Sequence, residues 1–237
     1  MKKISLALLL VLSIISLPSC RKVVGDGPAI TENRSTGEFT GIEMGVPADM
    51  YYIPGNNFKI EITAQRNILD VIETYVSDNI LKVKVKHSVN IKSHEPVTIK
   101  ITAPDVSWLG VNGSGNIKVL EPFEPAATTL SINGSGTMVV AKLVAEDVQV
   151  KISGSGSIQV YDGNTSKESL SISGSGLIDL AALTAVQAST STSGSGTMRV
   201  NVVSNLDCKI SGSGVVMYKG NPKVSSSVSG SGRVIPL

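Results

Sequence analysis

The sequence predicts an all-β protein, a right-handed parallel β-helix or β-solenoid with about 20 residues per coil and an irregular N-terminal β end. The tripeptide Gly-Ser-Gly occurs seven times, and successive copies begin 21, 20, 20, 20, 18 and 18 residues apart. Apolar and polar residues alternate on both sides of each copy, which is typical of strands with one buried face. Each repeat is therefore a strand, a tight corner and a second strand. Such repeats bury their apolar sides only by stacking, and their parallel connections are right-handed by default.

The alternation places apolar residues at matching positions of successive repeats. Two residues before the triplets stand Val111, Ile132, Ile152, Ile172, Thr192, Ile210 and Val228. Two residues after them stand Ile117, Met138, Ile158, Ile178, Met198, Val216 and Val234. We expect these side chains to form ladders inside the solenoid. The coil with Thr190 and Thr192 is more polar inside, which indicates either strand threonines bonded to carbonyl groups or a small polar cavity.

The repeated glycines are predicted to form the corners, because glycine permits positive φ and close backbone approach. These structural corner residues are Gly113, Gly115, Gly134, Gly136, Gly154, Gly156, Gly174, Gly176, Gly194, Gly196, Gly212, Gly214, Gly230 and Gly232. The serine between each pair, and the Asn or Ser before it, would form outer ladders that hydrogen-bond between coils.

The N-terminus has the pattern of a secretory signal. Lys2 and Lys3 precede the apolar residues 4–17, a stretch too short for a stable membrane span, and Cys20 follows small residues. We therefore assign residues 1–19 to a lipoprotein signal peptide, Cys20 to lipidation and residues 20–36 to a tether. An ordinary cleaved signal with an incidental cysteine is the alternative.

The remainder, residues 37–237, is assigned to one β-helical domain. Residues 37–107 lack the triplet but alternate in short runs, so they should form irregular N-terminal coils, with turns at Asn56-Asn57 and Asp78-Asn79 and a short helix or bend at residues 68–72. Residues 108–237 carry the Gly-Ser-Gly repeats. Their last segment has no obvious cap, so another chain could cover that end and a homo-oligomer is a candidate assembly.

The charge balance argues about partners, and the cysteine content argues about the core. Removing residues 1–19 takes away Lys2 and Lys3, which leaves 19 basic and 19 acidic residues. This balance argues against nucleic acid as a partner. Cys208 would be the one thiol besides Cys20, and its place in an alternating strand indicates a buried core residue.

No motif indicates a catalytic, cofactor-binding or metal-binding site. The triplets lack the flanking glycines of a nucleophile elbow and the lysine of a phosphate-binding loop. His87 and His94 have no ligand cluster around them, and the acids of the repeats do not share one register. Those acids are Glu121, Glu124, Glu146, Asp147, Asp162, Glu168, Asp179 and Asp207.

Two groups of side chains could contact a ligand. Lys82, Lys84 and Lys86 line one strand face, which indicates a solvated face that discourages edge pairing or a contact for acidic glycans and headgroups. Aromatic residues could stack on sugar rings or pack near the junction of the two halves. They are Trp108, Tyr51 and Tyr52.

The lipobox-like Cys20, the strand-rich first half and the NGSG and SGSG corners together resemble the autotransporter adhesin head GIN domain family, found in lipoproteins of gut Bacteroidetes. The resemblance covers about residues 37–237. It implies a right-handed β-helix similar in shape to pectin-lyase-type proteins, no recognised catalytic residues and a role in cell adhesion. Residues 21–24 contain no acidic pair after the cysteine, so the resemblance leaves the side of the outer membrane open.

Three functions agree with these features. The first is a non-enzymatic lipoprotein of the cell envelope, anchored to the outer membrane through Cys20, that binds a glycan, a host surface or an envelope protein. The second is a carbohydrate-active enzyme on the same scaffold. The third is a structural component of the envelope that assembles through its C-terminal end.

Overall fold

A computed structural model describes residues 21–104 and 106–237. The predicted signal peptide and Cys20 lie outside the described residues. Within them the chain is almost entirely β, with one short helix, α1 (Arg66–Leu69). The strands are β1 (Arg21–Val23), β2 (Ala29–Arg34), β3 (Gly41–Gly45), β4 (Asp49–Pro54), β5 (Lys59–Gln65), β6 (Ile72–Ser77), β7 (Ile80–Val85), β8 (Val89–Ile91), β9 (Thr98–Ala103), β10 (Trp108–Gly113), β11 (Asn116–Val119), β12 (Ala127–Gly134), β13 (Thr137–Val140), β14 (Leu143–Gly154), β15 (Ser157–Val160), β16 (Gly163–Gly174), β17 (Leu177–Gly194), β18 (Thr197–Gly212), β19 (Val215–Lys219), β20 (Lys223–Gly230) and β21 (Arg233–Pro236).

The repeats form a parallel solenoid, which confirms the predicted fold class. The strands that precede the corners pair in parallel from coil to coil, in the order β10, β12, β14, β16, β17, β18 and β20. The strands that follow the corners form a second parallel sheet, beginning with β11, β13 and β15 and ending with β19 and β21. A short third face runs through residues 143–145, 163–165 and 183–185.

The hydrophobic core is a column of matched side chains inside the solenoid. Ile132 pairs in register with Ile152, which pairs with Ile172, and all three are at most 2% exposed. Leu130, Val150 and Leu170 form the next ladder. Successive coils thus bury equivalent apolar positions against one another, because the period-two pattern keeps the same register in the strand segments that precede the corners.

Glycine is required at the corners by both backbone conformation and space. The first glycine of every triplet has φ between 114° and 135°. A Cβ on Gly154 would overlap the carbonyl oxygen of Gly134 in the preceding coil. A Cβ on Gly156 would lie 2.6 Å from the Cγ2 atom of Ile132. The first position therefore excludes side chains through its φ and the backbone, and the second excludes them mainly through the packed interior.

The N-terminal half continues the stack and then closes it. β3 pairs with β10 and β7, while β4 pairs with β11 and β9, so two further coils precede the repeats. Antiparallel strands follow at the outer edge, since β6 pairs with β7, and β5 pairs with both β9 and β2. Asp78 and Asn79 have positive φ in the turn between β6 and β7, which agrees with the predicted turn. Ile68 and Leu69 of α1 are buried, so the helix helps to cover this end.

The predicted tether is wrong for residues 21–36. β1 pairs with β8 and β2 pairs with β5, so this segment is built into the N-terminal end. Val23 is buried, and Arg34 donates hydrogen bonds to the carbonyl oxygens of Ile72 and Leu69. The polar sequence of β2 suits an edge strand, whose exposed side faces water, and this is why it resembles a linker.

The C-terminal end of the solenoid is exposed, unlike the covered N-terminal end. Each residue of β20 is exposed, including Val224 and Val228, whose register partners in β18 are buried. Among the described residues, no segment lies over this last coil.

No helix in the described part of the chain is long and apolar enough to cross a membrane.

Candidate functional site

The strands that precede the corners present a broad polar surface, here called the hydroxyl face. Its outward positions form three columns that run along the solenoid. The first contains Thr129, Gln149, Ser169, Ser189, Asp207 and Ser225. The second contains Ser131, Lys151, Ser171, Ser191, Lys209 and Ser227. The third contains Asn112, Asn133, Ser153, Ser173, Ser193, Ser211 and Ser229.

Most polar groups of the hydroxyl face are free to bind water or a ligand. Thr129 Oγ1 donates to Gln149 Oε1 at 3.5 Å, and no other side-chain bond joins these columns within residues 21–104 and 106–237. The predicted outer ladder of Asn and Ser residues is therefore present in register, as the third column, but the hydrogen bonds expected between its side chains are absent among the described residues. Backbone bonds join the coils instead, such as Ser155 N–H to Gly134 O at 3.0 Å.

Trp108 lies at the N-terminal end of the hydroxyl face, where β10 joins the irregular coils. It is in register with Gly41 on one side and Thr129 on the other. A Cβ on Gly110 would overlap Trp108 Cη2 and would stand 2.7 Å from Cζ2 and Cζ3. The indole therefore lies flat on the sheet over Gly110, which is buried although it points outward. Trp108 was named from the sequence, but Gly110, the small residue that leaves room for the ring, was missed. A glycine two positions after a tryptophan on the same strand face is the signal that could have indicated it.

The two tyrosines are placed differently from Trp108. Tyr52 is 2% exposed, donates a hydrogen bond to Ala103 O at 3.1 Å and packs edge-on against Phe123. It thus joins the irregular coils to the repeats, as one of the two interpretations predicts. Tyr51 lies outward, with the amine of Lys118 5.3 Å from its ring centre.

A groove of about 420 Å³ begins at Ser107 and Thr129, the chain neighbour and the register partner of Trp108, and runs across the first column. Its walls include the hydroxyl groups of Thr129 and Ser169 and the amide of Gln149. Asp147 and Lys167, neighbours in register, line its other side. An aromatic ring, uncharged hydrogen-bonding groups and one charge of each sign are thereby gathered on one surface.

Glu168, named above only among the acids of the repeats, is a buried polar residue. It is 0% exposed and stands in register with Val148 and Ala188, inside the solenoid. Neither carboxylate oxygen has a hydrogen-bond partner among the described residues, and burial raises the pKa of Glu168 well above its ordinary value. Extending the alternation by one step, from Leu170 to residue 168, would have identified it as an inward position.

Both threonines of the more polar coil, Thr190 and Thr192, are buried inside the solenoid. Thr190 Oγ1 donates to Asp207 O at 3.5 Å, whereas the buried hydroxyl of Thr192 has no partner among the described residues. The interpretation of these residues as strand threonines bonded to carbonyl groups is therefore correct for Thr190 only. Cys208, in register with Thr190, is buried, as predicted, and burial raises the pKa of its thiol.

The remaining candidate groups do not assemble into a centre. No cluster of three or more metal-binding side chains occurs in residues 21–104 or 106–237. His87 is exposed and His94 is half-buried, on either side of β8. Asp179 pairs with Arg199 at 3.0 Å, and Asp162 lies 3.9 Å from Lys142, so these acids are held by separate cations.

The lysines of β7 do not protect a free edge, contrary to one prediction. β7 is paired on both sides, by β3 and β6. Lys84 instead places its amine 4.9 Å from the ring centre of Tyr75, and Lys86 donates to Asp70 O at 2.8 Å.

Comparison with known proteins gives a family and a set of similar folds. The family described as "Putative auto-transporter adhesin, head GIN domain" matches residues 38–222. The crystal structure of a putative adhesin from Bacteroides fragilis NCTC 9343 has 23% identity and a TM-score of 0.86, covering 91% of this chain and 100% of that chain. A putative lipid binding protein from Parabacteroides distasonis ATCC 8503 has 23% identity and a TM-score of 0.74, covering 92% and 100%.

A putative adhesin from Parabacteroides merdae ATCC 43184 has 22% identity and a TM-score of 0.73, covering 92% of this chain and 99% of that chain. None of the curated proteins matches the sequence. At 22–23% identity the solved structures support the fold alone. The family match covers residues 38–222, which is well over half of the chain, and therefore establishes the family. The chain belongs to the head GIN domain family of auto-transporter adhesins, as the resemblance in its sequence predicted.

Proposed function

We propose that this protein is a non-enzymatic lipoprotein of the cell envelope that binds glycans or proteins through its hydroxyl face. The observation that carries the proposal is the extent of that face, which presents outward polar groups, mostly hydroxyl and amide groups, on seven successive strands. A rigid array of this kind can make many weak hydrogen bonds at once, so that its total affinity grows with the number of coils engaged.

The membership in an adhesin family supports association with the envelope or cell surface, and the N-terminal pattern supports lipidation at Cys20 and retention at the outer membrane. Several acyl chains on one cysteine would hold the protein firmly to a membrane. Replacing Cys20 by alanine should abolish incorporation of labelled fatty acid and move the protein out of the membrane fraction. Fatty-acid labelling that survives this change would contradict the anchor.

Adhesion itself is testable with the lipidated full-length protein in liposomes. These liposomes should adhere to surfaces coated with mucin or with bacterial polysaccharide, and liposomes without protein should not. Failure to adhere to either coating would refute the adhesion role. Release of new reducing ends from the polysaccharide, abolished by substitution of the acids of the repeats, would instead favour a carbohydrate-active enzyme.

A second function, self-assembly through the C-terminal end, is favoured by the last coil. Val224, Val228 and Ile235 are 37%, 42% and 38% exposed, although the matching positions of the preceding coil are buried or half-buried. β20 pairs with β18 alone among the described strands, so one edge is unpaired. A second copy suits this surface, because two identical edges related by a two-fold axis can pair antiparallel and cover both open interiors.

The full chain should then form a dimer whose fraction rises with protein concentration in analytical ultracentrifugation. Val228→Lys would place a charge in the open interior and should leave a monomer. Ser229→Lys, on the outward side of the same strand, is the matched control and should leave the dimer intact. A monomer at every concentration would rule out this function.

A further inference from the structure

We propose that Trp108 and the adjoining groove form a binding subsite for an uncharged pyranose glycan. This inference deepens the proposed function and rests on it. The ring of Trp108 would stack against the apolar face of one sugar, and the first column of the hydroxyl face would bind the hydroxyl groups of the next sugars.

The orientation of Trp108 suits stacking. The benzo edge of the indole occupies the space where a side chain at Gly110 would stand, and Gly41 beside it is also buried. One ring face is therefore packed against the sheet, and the exposure that Trp108 retains lies on the opposite face and edges. A flat ring with one free face loses little conformational entropy on binding, since the backbone already holds it in place.

Hydrogen-bonding groups continue from the ring in one direction. Thr129 is the register partner of Trp108, and Gln149 and Ser169 follow in the next two coils. Their spacing of about 4.8 Å per coil places a donor or acceptor at regular steps along the groove. An extended carbohydrate chain offers hydroxyl groups at regular steps as well, so a chain lying along the solenoid axis can meet several of these groups together.

The charges around the groove favour an uncharged ligand. Asp147 and Lys167 line it in equal number, and beyond the ring Glu43 stands in register with Lys82. An acidic glycan would need an excess of cations, which the lining of the groove lacks. A protein partner would need a larger apolar centre than a single half-buried tryptophan provides.

The experiment uses the fact that Trp108 is the only tryptophan of the sequence. Mature full-length protein is titrated with dextran, laminarin, α-mannan and arabinoxylan, and with polygalacturonate as the acidic comparison, while tryptophan emission and affinity electrophoresis are followed in parallel. We expect at least one uncharged polysaccharide to bind and to shift the emission, and polygalacturonate to bind less tightly.

Variants separate this subsite from the rest of the face. Trp108→Ala should weaken binding at least about tenfold, the loss typical of an aromatic anchor. Gly110→Ala should also weaken it, because the added Cβ lifts the ring from the sheet while Trp108 itself is kept. Tyr161→Ala, which removes a 61% exposed aromatic residue away from the groove, is the matched control and should bind like the unaltered protein. Thermal melting of each variant verifies that it is folded.

Each outcome bears on the proposal. Binding that persists in folded Trp108→Ala, or that leaves the tryptophan emission unchanged, overturns the subsite while the adhesion role stands. Preference for polygalacturonate overturns the assignment to uncharged glycans. If no polysaccharide binds and the liposomes also fail to adhere, both the subsite and the proposed function are refuted.

Discussion

Replacing Glu168 by leucine should stabilise this protein and remove part of its pH dependence. The carboxyl group lies inside the solenoid, fully buried, with neither oxygen bonded to a described residue. The same column already contains Leu206 two coils away, so the interior accepts leucine at this register. A buried polar group without a partner costs about 1–3 kcal/mol. Since 1 kcal/mol shifts the melting temperature of a domain of this size by about 2–4 °C, the expected rise near pH 7 is roughly 2–12 °C.

The pH dependence has a definite sign. Burial raises the pKa of Glu168 well above its ordinary value of 4.5, so the unfolded chain releases the proton at a lower pH than the folded protein does. The free energy of unfolding therefore falls as pH rises from about 4.5 toward the folded pKa. Neither Glu168→Leu nor Glu168→Gln can titrate, and both should lack this decline.

The assay is urea or thermal unfolding of the three proteins at a series of pH values, compared as differences so that all other titrating groups cancel. Glu124→Gln, which changes an exposed acid, serves as the control and should follow the unaltered protein. The reasoning is refuted if Glu168→Gln retains the full pH dependence, or if Glu168→Leu lowers the stability at every pH.

Three further predictions concern the corners, an ion pair and the buried thiol. Gly154→Val should cost about 3 kcal/mol or more, because φ at this position is 123° and the side chain would overlap the preceding coil, whereas Ser155→Ala should change stability by no more than about 0.5 kcal/mol; equal melting temperatures would refute the corner geometry. The hydrogen bond from Asn116, followed by that from its ion-pair partner Lys118, lowers the pKa of Asp49. The stability that this carboxylate contributes is therefore present above about pH 3.8 and is lost as pH falls through the folded pKa. Asp49→Asn should flatten this acid limb in a plot of unfolding free energy against pH. Cys208 should react with a thiol reagent only in denaturant, because it is buried and its pKa is raised by that burial; rapid labelling of the native protein would contradict its position.

The solenoid could be predicted from the sequence, because the repeats indicate both the register between coils and which face of each strand points inward. Spacing of the triplets fixes which residues stack, and the alternation around Ile152 fixes which of them point inward. The same rule assigns residue 168 to an inward position, but it does not show how an acid is accommodated there. A local pattern does not reveal that a carboxyl group is buried without a partner, since this is a property of three adjacent coils.

The N-terminal end could not be predicted in detail, for a related reason. β2 and β5 pair antiparallel, with Thr31 opposite Thr63, 32 positions later in the sequence, and no repeat indicates their register. Edge strands of mixed polarity are hard to distinguish from linkers, as the residues before Gly37 illustrate. Trp108 was recognised as a candidate ligand contact, but its value as a flat platform depends on Gly110 and on the neighbouring strand β3, which only the structure brings together.

The register of the coils has a consequence for how such proteins can change in length. Ser157 and Leu177 occupy equivalent backbone positions one winding apart, as do Gly156 and Gly176 at the corners. Excising residues 157–176 would thus rejoin the chain at a matching point and leave both termini of the stack untouched. Unequal exchange between repeats can therefore shorten or extend the molecule by whole windings, and with each one it removes or adds a row of outward polar groups while the rest of the surface keeps its geometry.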